Sequence, residues 1–66
     1  MIIYNKLWVT MKEKNISTYT LREKHDFNTN TIKKMRNNGN LTTNTLNKLC
    51  FILDCSLSDI AEYKPE

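Results

Sequence analysis

The chain reads as a small all-α domain of five short helices, the second and third joined by a tight turn. Three features carry that reading. Good N-capping residues (Ser17, Asn28, Thr42, Ser56) each stand just ahead of a segment with helical apolar spacing. Leu46, Leu49, Cys50 and Leu53 then fall at i, i+3, i+4 and i+7, the stripe of a core-facing helix. Finally, Asp26-Phe27-Asn28 stops and restarts the chain within about three residues, the reach of a helix-turn-helix turn.

Taken in order, Met1 to Tyr4 is apolar and β-branched, either a frayed end or a short edge strand. From Asn5 to about Lys14 a first helix places Leu7, Trp8 and Met11 on one face, with Lys6, Lys12 and Glu13 outside. Trp8 is expected as a core anchor. Asn15 ends this helix and Ile16 tucks beneath it. Ser17 caps a second helix reaching about His25, with Leu21 as its firmest core contact and His25 packing partly buried near it. The free amides at its N-terminus, beside the hydroxyls of Ser17 and Thr18, suit a phosphate oxygen.

Asn28 caps a third helix of about residues 28–37, on which Ile32 and Met35 share one face. At about 100° per residue, the opposite face is Asn30, Lys33, Lys34 and Asn37, with Thr29 beside it. It offers amides, ammonium groups and hydroxyls, and no carboxylate. Gly39, within Asn37-Asn38-Gly39-Asn40, is expected to supply the left-handed conformation that closes the helix. Thr42 caps the fourth helix, about Thr43 to Asp54, whose stripe leaves Phe51 pointing away from the core as a candidate subunit contact. A last short helix is expected from Ser56 to about Tyr63, begun by a Ser56/Asp59 capping box, with Leu57 and Ile60 closing the core before Pro65 forbids further helix.

A chain of 66 residues is one domain, 1–66, with room for a helix cluster but not for an enclosed substrate pocket. The net charge of +3 is unevenly placed. Residues 1–40 hold eight Lys or Arg against three carboxylates (+5), and residues 41–66 hold two Lys against four (−2). That asymmetry is expected when one side of a small domain meets phosphates. No apolar run approaches the roughly 20 residues of a membrane span, so a cytoplasmic protein without membrane contact is expected. Cys50 and Cys55 are expected as reduced, packed thiols. With one His and two Cys a closed zinc site lacks ligands, so no metal or other cofactor is expected. Nothing places a nucleophile beside a base in a shelter, and no glycine-rich phosphate loop is present; an enzyme with a small-molecule substrate is not expected, and no residue is assigned a catalytic role.

The order and spacing of YNKLW near the start, LREK in the second helix, LTT before the fourth, and LC, LDC, DI, EY and P toward the end resemble the lambda-repressor/Cro-like (XRE) helix-turn-helix family, over nearly the whole length. The likeness is nearest to short, stand-alone bacterial regulators of the YozG-like kind. It implies a lambda-repressor-like DNA-binding domain whose third helix enters the major groove of a double-stranded operator while the second bridges the backbone, often as a homodimer on near-palindromic sites. Carried over by position, Thr29, Asn30, Lys33 and Lys34 are the base-contacting candidates, and Ser17, Thr18, Asn37, Asn38 and Asn40 the backbone-contacting ones. Asn30 suits a bidentate pair with adenine, the Thr29 methyl suits thymine, and Lys34 suits guanine or a phosphate.

Four departures qualify the likeness, one being that Asn37, Asn38 and Asn40 are shorter and uncharged compared with the Lys or Arg of many relatives, which weakens phosphate affinity per subunit. Asp26 replaces the usual turn glycine, which an aspartate tolerates in the left-handed region. Phe27 and Asn28 replace the common Ile or Val followed by Ser. Arg36 stands where longer repressors carry Glu, which removes an internal ion pair and makes the surface more basic. The expected function is a sequence-specific transcriptional regulator such as a repressor. The alternative is a protein-interaction module, an antitoxin or adaptor, that keeps the fold without binding DNA.

Overall fold

The computed structural model describes residues 1–66. Its elements are β1 (Ile2–Ile3), α1 (Asn5–Glu13), α2 (Thr18–His25), α3 (Thr29–Arg36), α4 (Thr43–Leu53), a 3-10 turn (Leu57–Asp59) and β2 (Glu62–Tyr63). The helix starts follow the capping chemistry. Ser17 Oγ accepts from the Thr20 amide at 3.2 Å, Asn28 Oδ1 from Thr31 at 2.8 Å and Thr42 Oγ1 from Thr45 at 3.1 Å.

The helix stops were less legible. Asn15, Asp26, Asn38 and Asp54 take positive φ, one after each helix, and the chain's single glycine does not. These short polar side chains tolerate the left-handed region best after glycine. Ile16 donates back to the Met11 carbonyl, Gly39 to Lys34 and Cys55 to Cys50, the six-to-one bonds that satisfy the last carbonyls. The expectation for Gly39 is therefore corrected: Asn38 supplies the left-handed residue. Gly39 is wanted for closeness instead, since a Cβ there would lie 3.2 Å from Lys34 Cβ.

The expectation of five helices in an all-α fold is also corrected. There are four α-helices, and the last segment is a single 3-10 turn followed by a strand. β1 pairs antiparallel with β2, Ile2 opposite Tyr63 and Ile3 opposite Glu62. Backbone bonds continue the seam, Lys64 N–H to Met1 O at 2.8 Å and the Met1 ammonium to Lys64 O at 2.7 Å. An extended Glu62–Tyr63 satisfies the polar backbone of both chain ends at once, which another helical turn cannot do. Asp59 Oδ2 accepts from the amide and the hydroxyl of Ser56, each at 3.0 Å, so the carboxylate half of the expected capping box is present.

The core comprises Leu7, Leu21, Met35, Leu49, Leu53 and Ile60, all fully buried, with Tyr4, Met11, Phe27 and Ile32 around them. Each such burial is worth about 1.5–3 kcal/mol, so these few side chains carry the fold and leave the outer face of α3 free for other uses. Trp8, half-buried, packs on the edge of this cluster rather than at its centre. Leu57, expected to close the core, is 53% exposed, because Ile60 takes that place and the turn points Leu57 outward. His25 is likewise exposed instead of packed, since α2 ends beside it and Phe27 fills the inner position. Cys50 and Cys55 are free and half-buried, as expected. Desolvation, with Cys50 adjacent, pushes the Cys55 thiol up. No helix is long and apolar enough to cross a membrane.

Candidate nucleic-acid interface

Burying Ile32 and Met35 fixes the rotation of α3 about its axis, and every other α3 side chain follows from that. Asn30, Lys34 and Asn37, at i, i+4 and i+7, form the outermost row and are exposed. Thr29, Lys33 and Arg36, with the same spacing, form a second exposed row on the flank toward α2. Neither row contains a carboxylate. The chain's one ion pair joins the Met1 ammonium to Glu66 at 3.5 Å and involves none of these residues, so Lys33, Lys34 and Arg36 have no ion-pair partner. Part of this cationic character serves α3 itself, because Lys33, Lys34 and Arg36 lie in its last turn, where positive charge favours the helix dipole. Asn30 does nothing comparable for the helix.

The residues expected from sequence to touch a nucleic-acid backbone are placed unequally. Ser17 sits at the start of α2, its hydroxyl engaged by the Thr20 amide and 3.1 Å from Thr20 Oγ1. Thr18 is half-buried where α2 meets α3. Asn37 and Asn40 are exposed just beyond α3. Asn38 is engaged internally, since its Oδ1 accepts from the Tyr4 amide at 2.9 Å, while Tyr4 Oη donates to Gly39 O at 2.8 Å. The Asn38 carboxamide oxygen thus ties the end of α3 to the start of α1, and only Nδ2 is left for an outside partner.

Two cations escaped assignment from sequence. Arg22 and Arg36 line an open concavity of about 270 Å³ between α2 and α3, together with Thr18, Thr29, Ile32 and Lys33. The Arg36 guanidinium lies 5.5 Å from the centroid of the Trp8 ring and reaches Thr18 Oγ1 at 3.5 Å, a long contact. A cation over an indole at an exposed site is worth about 0.5–1 kcal/mol. Helical spacing does hold a signal for this arrangement: Thr18 and Arg22 are four apart on α2, and Thr29, Lys33 and Arg36 share a flank of α3. Which flanks meet is a tertiary fact. On the other side of α3, Thr31 and Asn28 border a smaller polar cleft with Lys48 of α4.

Comparisons with known proteins agree with this geometry. The profile of the Cro/C1-type helix-turn-helix DNA-binding domain matches residues 6–66. The crystal structure of the transcriptional regulator VanUg superimposes with a TM-score of 0.88 at 32% identity, over 98% of this chain and 87% of that one. The comparison with curated proteins gives no match. With its profile match spanning nearly the whole length and α2 and α3 set as the two helices of the motif, the chain belongs to the Cro/C1-type helix-turn-helix DNA-binding domain family.

Proposed function

We propose that the chain is a sequence-specific regulator of transcription that occupies an operator in double-stranded DNA, with α3 in the major groove. The observation that carries this is the outer face of α3, where Asn30, Lys33, Lys34 and Asn37 are exposed, free of ion pairs and unaccompanied by any acid. Thr29, Asn30, Lys33 and Lys34 read base edges or the phosphates beside them. Ser17, Thr18, Asn37 and Asn40 meet the backbone, with Asn38 contributing through Nδ2 alone. VanUg, similar over almost this whole chain, is itself a transcriptional regulator, which supports the same role here.

Repression follows if the operator overlaps the polymerase site, and a homodimer would read two half-sites about one helical turn apart. Phe51, 85% exposed on α4, is the candidate subunit contact. The setting for this work is the cytoplasm, where the DNA is.

One observation favours a second reading, a protein-interaction module: Ile2, Leu57, Ala61 and Tyr63 line an exposed apolar cleft at the acidic end of the domain. Titration of random duplex at several salt concentrations separates the two. DNA binding gives a log–log salt slope of roughly 0.9 per phosphate neutralised. Lys33→Ala lowers that slope by about one unit where Lys33 meets a phosphate. Absence of salt-dependent binding to any duplex would favour the interaction module.

A further inference from the structure

We infer that the concavity between α2 and α3 seats one backbone phosphate of the bound duplex, held by Arg22 and Arg36, with the Trp8 ring fixing the direction of Arg36. The inference rests on the DNA-binding reading above and extends it to two residues, Arg22 and Arg36, to which that reading gives no contact.

Three cations, Arg22 from α2 and Lys33 and Arg36 from α3, converge on one open concavity with no carboxylate in its lining. None of them has an ion-pair partner in the chain. Like charges gathered without a counter-charge repel, and an anion between them relieves that repulsion. The backbone points the same way. Of the first N–H groups of α2, that of Thr20 goes to Ser17 Oγ and that of Leu21 to Ser17 O, which leaves those of Thr18 and Tyr19 free beside the concavity.

Arg36 is the organised member of the set. Its guanidinium stacks near Trp8 from α1 and leans on Thr18 of α2, so three helices define where its fork points. One of its five donors is directed at Thr18, and the remaining fork is available to a phosphate, which an arginine engages bidentately. The concavity, about 270 Å³, is open to solvent, so a phosphodiester group reaches it while keeping part of its hydration.

The test is the salt dependence of duplex binding for an Arg22→Ala/Arg36→Ala double variant, Trp8→Leu and the wild type. Both arginines are exposed, so the double variant keeps its core, which circular dichroism checks. The double variant is expected to lower the log–log slope by about one unit and to weaken selected and random duplexes by the same factor, because a phosphate carries no sequence information. Arg22→Ala and Arg36→Ala made singly are expected to be non-additive, since the two arginines share one phosphate. Trp8→Leu keeps every charge, so its slope is expected to stay while affinity falls several-fold; should that variant unfold, Arg36→Lys gives the same reading by keeping the charge and losing the fork and the stacking.

Normal wild-type binding with an unchanged slope in the double variant overturns the phosphate seat and leaves the DNA-binding reading standing. Loss confined to one duplex sequence would also overturn it, in favour of a base contact. Wild-type affinity in Trp8→Leu removes Trp8 from the account. A wild type that binds no duplex overturns both inferences.

Discussion

The α2–α3 face and the end where β1, β2 and the 3-10 turn meet put the same polar chemistry to opposite uses. On the α2–α3 face, amides and ammonium groups are left without internal partners, and the positive charges have no acids among them. At the strand end, polar groups are spent on the chain itself. The Met1 ammonium donates to Lys64 O, Asp59 holds Ser56, and Thr10 Oγ1 donates to Asp59 O at 2.7 Å. The contrast teaches that a domain with so small a core closes its termini by hydrogen bonding and can therefore leave one helix face unsatisfied for a partner. Charge follows the same division, +5 over residues 1–40 and −2 over residues 41–66.

The strongest challenge to this division is a core substitution, because both regions share one core. Met35→Ala removes a fully buried side chain under the outer face of α3 and is expected to cost about 2–5 kcal/mol. Urea unfolding should show the whole domain melting as one unit; loss of α3 alone would mean that the two regions are independently stable. Next in size is Asn30→Ala. Against a duplex selected from a random pool it is expected to lose about 1–3 kcal/mol of discrimination, with random-duplex affinity and the melting curve nearly unchanged. Equal losses on both duplexes would make Asn30 a bystander.

Tyr4→Phe acts at the junction of the two regions. It removes the bond to Gly39 O and is expected to cost about 0.5–1.5 kcal/mol of stability while the salt slope of DNA binding stays the same. A changed slope would mean that the strand end takes part in binding. The smallest effect belongs to pH. The Ser56 backbone and side-chain hydrogen bonds hold the Asp59 carboxyl below the usual aspartate range. Its contribution is therefore fully present above about pH 4 and is lost as pH falls through the lower folded value. Asp59→Asn should flatten that acid limb of the stability curve, and an unaltered limb would show that the bond does not matter in solution.

The legible parts of this molecule are the local ones. Ser17, Asn28 and Thr42 announce helix starts because a cap bonds only three residues ahead, and Ile32 with Met35 fixes the face of α3 through helical period alone. What escaped is set by distant partners. The last segment is a strand because β1, about sixty residues earlier, needs pairing. Asn38 rather than Gly39 turns the chain after α3, where its side chain meets the Tyr4 amide 34 residues away. Leu57 and His25 were misplaced for a related reason: Ile60 and Phe27 filled the inner positions first. The expected base-reading residues do stand together on one exposed face. The arginine concavity was invisible until α1, α2 and α3 were brought together, since Trp8, Thr18 and Arg36 belong to three different helices.

The most direct test of the division is an NMR titration of isotope-labelled protein with duplex DNA at low salt, following every backbone amide and the asparagine side chains. Perturbations concentrated at residues 17–22 and 28–40, with the Asn30 carboxamide among the largest and residues 57–64 nearly still, are the predicted result. Shifts centred on Ile2, Leu57 and Tyr63, with the outer row of α3 unmoved, would contradict it.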